Sequence, residues 1–110
     1  MTFDEYQAVA LTTAHNHPDP LMNQTIWAMG ISGEAGEVLE KWKKIVAYRN
    51  GEVTEDDTND FAKELGDVVW YIAVMAESLG LSFDDIMQRN VKKLADRQKR
   101  NVIKGAGDNR

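Results

Sequence analysis

Cysteine is absent from this chain, which excludes a disulfide framework and any thiolate metal site. Long apolar runs are absent as well. No stretch approaches the roughly 18 residues of a membrane span, and no basic N-terminal segment leads into an apolar one. Together these absences predict a soluble, cytoplasmic protein. No segment alternates with the period of a strand, and neither an internal repeat nor a low-complexity tract is present. Proline occurs twice, at Pro18 and Pro20, so no proline breaks a helix over the remaining ninety residues. With 110 residues the chain is long enough for one domain with a real core, and too short for two.

What is present reads as helix throughout. Thr2 and Glu5 resemble a capping box, and Phe3, Tyr6, Val9, Ala10 and Thr13 follow at helical spacing, predicting a first helix over about 3–15. His15-Asn-His-Pro-Asp-Pro20 breaks it. A long second helix is expected over about 22–49, with Asn50-Gly51 as its C-cap. Thr54 or Thr58 can cap a third helix reaching Leu79, which Gly80 stops. Ser82 with Asp85 opens a fourth that runs to about Asn101. The expected fold is an all-α four-helix bundle over 1–104, with a flexible tail over 105–110.

The net charge of −5 conceals an asymmetry. From Arg89 onward eight basic residues face only Asp96 and Asp108, so residues 1–88 carry the whole acidic excess. That acidic body repels a nucleic-acid backbone and argues against nucleic-acid binding. An acidic centre beside a basic end suits a phosphate-bearing ligand held through a metal.

The acids are ordered. Glu34-Ala-Gly-Glu37 and Glu64-Leu-Gly-Asp67 each place two carboxylates three residues apart, on one face of a helix and along the border of its apolar stripe. A single such pair is an ordinary solvated helix border. Two matching pairs, each with glycine between the acids, can bring four carboxylates to one point, where only a cation makes their proximity affordable. Hard oxygen donors of this kind suit Mg²⁺, with Mn²⁺ as a substitute. Redox iron is disfavoured, because a di-iron bundle needs Glu-x-x-His and neither pair has the histidine.

Asn90, Lys93 and Arg97 form the second constellation. Lys93 and Arg97 are i and i+4, able to grip successive phosphates, although cations near a helix C-terminus also serve the dipole. Trp27 can stack on a base. Trp42 and Trp70 lie within the apolar stripes and are expected in the core, and His15 and His17 on the surface. Gly30, Gly33 and Gly36 inside the second helix suggest close packing or room for a ligand.

With these residues the chain resembles the MazG-like nucleoside triphosphate pyrophosphohydrolases, an all-α superfamily that includes dimeric dUTPases, dCTP pyrophosphatases and phosphoribosyl-ATP pyrophosphohydrolases. The family pattern E-E-x-x-E, then E-x-x-D, then N-x-x-K-x-x-x-R is matched by Glu34, Glu37, Glu64, Asp67, Asn90, Lys93 and Arg97, over roughly residues 22–110. Gly33 replaces the first glutamate, removing one candidate for activating water and leaving Glu34 or Glu37 for that role. The resemblance implies that the four acids coordinate Mg²⁺ and that Lys93 and Arg97 contact a triphosphate. Asn90, Lys104 of the basic tail and Trp27 complete the candidate substrate contacts, and Tyr6 and Gln7 are nominated as base-pocket lining. It further implies cleavage between the α and β phosphates and a dimer or tetramer with active sites shared between subunits. The competing expectation is a non-enzymatic helical module for oligomerisation or regulation.

Overall fold

Each helix begins where a side chain satisfies its free N–H groups. In the computed structural model, which describes residues 1–110, Thr2, Asp19, Thr54 and Ser82 accept from the backbone N–H of Glu5, Leu21, Asp57 and Asp85. The elements are α1 (Phe3–Leu11), α2 (Pro20–Arg49), α3 (Glu55–Ser78) and α4 (Phe83–Lys99), with no strand. Three boundaries differ from the sequence reading by two residues or more: the end of α1, the start of α2 and the end of α4, which stops at Lys99 rather than about Asn101. Helix α1 stops at Leu11 because the Thr12 and Thr13 hydroxyls bond back to the Val9 and Ala10 carbonyls. Helix α2 starts at Pro20, which occupies the first turn, where its missing N–H costs nothing.

At Thr54 the capping box is reciprocal, and both Asp57 carboxylate oxygens also accept from Arg49 Nη2 at 2.7 Å. The Thr54 backbone N–H, then Arg49, hold the Asp57 carboxyl at a pKa of about 2. A depressed carboxylate contributes stability that is present above its unfolded value and lost as pH falls towards 2. Asp57→Asn should therefore lower the melting temperature at pH 7, with the difference shrinking through that acid window in a calorimetric pH series.

Helices α2 and α3 pair as an antiparallel hairpin, with Trp27 against Trp70 near one end and Trp42 against Phe61 near the other. Helix α1 packs on α3 and α4, and α4 leaves α3 at 102°. The core sits at one end, where Ala10, Trp27, Ala73, Val74 and Phe83 are buried together. Gln7 ties it: its amide donates to the carbonyls of Ala73 and Leu81 and accepts from Phe83 N–H. This residue, nominated as pocket lining, is 8% exposed and its hydrogen bonds all go to the backbone. Gly30 is required by the packing, since a Cβ there would overlap the Tyr71 ring. Gly30→Ala should cost about 1–3 kcal/mol, read as a lower denaturation midpoint.

The other end of the hairpin has no third layer. Trp42, expected in the core, is 47% exposed, and Leu39, Val46 and Leu65 are exposed beside it. Only Ile45 is buried there. The radius of gyration is 17.0 Å, against roughly 13 Å for a compact chain of this length. The surface of 8002 Å² likewise exceeds the roughly 6,100 Å² expected for a folded monomer of this mass. No single helix is long and apolar enough to cross a membrane.

Candidate metal centre

The hairpin brings three of the four paired acids together. Ligand oxygens of Glu34, Glu64 and Asp67 all lie within 4.8 Å of one another, with Glu34 and Glu64 half-buried and Asp67 exposed. Glu37, one turn along α2 from Glu34, is exposed and stands outside this trio. Its charge is nevertheless felt. Burial first, then repulsion from Asp67, Glu64 and Glu37, raises the Glu34 pKa above the ordinary glutamate value. Three oxygen donors that repel one another and face outward fit a hard divalent cation.

Two neighbours complete the electrostatics. Lys41 Nζ lies 3.8 Å from both Glu64 Oε1 and Asp60 Oδ2, and it is the one cation ion-paired to the trio. Sequence reasoning passed over it, although Lys41 follows Glu37 by four residues and Glu34 by seven, on the same helical face. Tyr6, from α1, has its hydroxyl pKa raised by burial and then by the Asp67 charge.

The remaining candidates lie elsewhere. Trp27 is 5% exposed, edge-to-face against Trp70 and tilted against Tyr71, with its Nε1 unpartnered. Buried this way, it has no face free to stack on a base. Trp70 is half-buried and donates from Nε1 to the Thr13 hydroxyl at 3.0 Å. Asn90 and Lys104 are exposed, and Lys93 is half-buried. Arg97 is 5% exposed. Helix α4 contacts α1 and α3 but not α2. The α4 cations thus stand on a helix that turns away from the hairpin carrying the trio, and none of them is ion-paired to it.

Fold and site together define an all-α protein with a cluster of three carboxylates on a helical hairpin. The MazG nucleotide pyrophosphohydrolase domain matches residues 23–102, a span holding both acid pairs and the α4 cations. The Gene 37 protein of Mycobacterium phage L5 is 40% identical over 114 aligned positions that cover both chains completely. No solved structure matches. The chain belongs to the MazG nucleotide pyrophosphohydrolase family.

Proposed function

We propose that the protein is a Mg²⁺-dependent hydrolase of (deoxy)nucleoside triphosphates, cutting between the α and β phosphates and clearing selected nucleotides from the cytoplasmic pool. The observation that carries this reading is the convergence of Glu34, Glu64 and Asp67 from two helices. These residues would hold the cation, which supplies charge neutralisation, orientation of phosphate oxygens and a more acidic water. Glu37, close by but outside the trio, is the carboxylate left free to accept the proton of the attacking water. Its position answers the loss of an acid at Gly33. As water oxygen bonds to the α-phosphorus, the bond to the bridging oxygen breaks and pyrophosphate leaves. Lys41, at the rim of the centre, offsets charge on the departing group.

Lys93 and Asn90 would meet the outer phosphates from a second copy of the chain. Two observations support this. Helix α4, which carries these cations, packs on α1 and α3 and makes no contact with α2, the helix of Glu34 and Glu37. The uncovered α2–α3 face with Leu39, Trp42 and Val46 is also apolar surface in excess of a monomer's needs. The proposed assembly is a homodimer or a pair of dimers. Phosphorus NMR of mixtures with Mg²⁺ and each common deoxynucleoside triphosphate tests the reaction. Monophosphate and pyrophosphate are expected, and diphosphate with phosphate would contradict it.

A further inference from the structure

Residues 105–110, which sequence composition marks as a flexible tail, close into a ring at the end of α4. Asn101, at φ 57°, turns the chain, and Val102 N–H caps the helix by bonding Arg97 O at 2.9 Å. Arg110 then reaches back across the loop, donating to the carbonyls of Val102, Ile103 and Gly107 at 3.1, 2.9 and 2.6 Å. Arg100 donates to Arg110 O at 2.7 Å. Gly105 makes room for that crossing, because a Cβ there would sit 2.8 Å from Arg110 Cδ.

Residues 103–109 are all exposed, so the ring buries little and adds little to the core. What it does is deliver Asp108 to two cations. Asp108 Oδ1 accepts from Lys93 Nζ at 2.7 Å and from Arg97 Nη2 at 3.0 Å, and Arg97 Nη2 also donates to the Asp108 carbonyl. Asp108 itself is 74% exposed, and ion pairs of so exposed a group contribute little stability. Its partners differ in access. The Arg97 side chain is 6% exposed, against 38% for Lys93. Lys93 opens onto a cleft of about 230 Å³ shared with Ile86, Arg89 and Asn90. An ammonium has three N–H donors, and one bond to Asp108 leaves two for a ligand.

We propose that the C-terminal loop is a working part of the phosphate site: Asp108, anchored by the buried Arg97, is the positioning residue that aims the Lys93 ammonium at a ligand phosphate. Arg97, offered by its spacing as a second phosphate grip, serves instead as the anchor. This deepens the pyrophosphohydrolase reading and rests on it for the identity of the ligand.

The sign of one substitution decides the matter. Removing the Asp108 charge makes the cleft more positive, so simple attraction, or a carboxylate that merely occupies the phosphate's place, predicts tighter anion binding. Positioning predicts weaker binding. The experiment is calorimetric titration of the full chain with inorganic pyrophosphate and Mg²⁺, with nucleotide turnover measured in parallel. Asp108→Asn is expected to weaken pyrophosphate roughly tenfold with at most a small fall in melting temperature, and Asp108→Glu to recover most of the loss. In a Lys93→Met background Asp108→Asn should add nothing, because both changes remove the same interaction. Tighter binding by Asp108→Asn, or an equal loss with and without Lys93, overturns the proposal. A wild-type chain that binds pyrophosphate but hydrolyses no nucleotide overturns the enzymatic reading while the coupling of Asp108 to Lys93 stands. One that binds no pyrophosphate overturns both.

Discussion

Glu34→Gln abolishes turnover and makes the metal-free protein more stable. The first half follows from the removal of one of three carboxylates that converge to within 4.8 Å, with an expected loss of roughly a thousandfold. The second half follows from the direction of the Glu34 pKa. Burial and the charges of Asp67, Glu64 and Glu37 raise it, so ionising Glu34 costs the folded state free energy. For a carboxyl raised on folding, that cost is absent below its unfolded value, grows as pH rises and is complete above its folded value. At neutral pH the glutamine variant should therefore melt higher than wild type without metal, and the two curves should meet in acid. Mg²⁺ should raise the melting temperature of wild type and leave the variant where it was. Scanning calorimetry at two pH values, with Mg²⁺ and with EDTA, reads all three outcomes. A variant that melts lower than wild type under every condition would mean that the acids serve the fold rather than the site.

Two inactive variants should restore one another. Asp67→Asn spoils the cation site and Lys93→Met the phosphate grip. If each active site takes its acids from one copy and its lysine from another, a mixed dimer holds one intact site and one doubly damaged site. Co-expression in equal amounts gives mixed dimers in half the population, and about a quarter of wild-type activity should return from two proteins that separately have almost none. Mass spectrometry of the intact assembly would establish that mixing has occurred. Mixed dimers with no recovered activity would mean that Lys93 and the trio of one active site come from the same copy.

The features legible in sequence are those that depend on neighbours along the chain. The acid pairs could be read because i and i+3 share a helical face whatever lies opposite, and the caps at Thr54 and Ser82 because a cap bonds three residues ahead. Long-range choices could not be read this way. Trp27 and Trp42 sit in similar apolar stripes on one helix, yet one is 5% and the other 47% exposed. The difference is that α1 and α4 cover only one end of the α2–α3 hairpin, which no stripe on α2 records. Lys41 was hidden because its partners Asp60 and Glu64 lie on the next helix, and Asp108 because a glycine-rich segment looks alike whether it hangs free or closes on an arginine. Gly33 was seen as a missing acid.

The account stands on the bond that is broken. Hydrolysis of a deoxynucleoside triphosphate in water enriched in ¹⁸O, with Mg²⁺ and in parallel with EDTA, tests it most directly. The prediction is monophosphate carrying the heavy oxygen, unlabelled pyrophosphate in equal amount, and no reaction in EDTA. Release of the terminal phosphate, or turnover indifferent to the chelator, would contradict it.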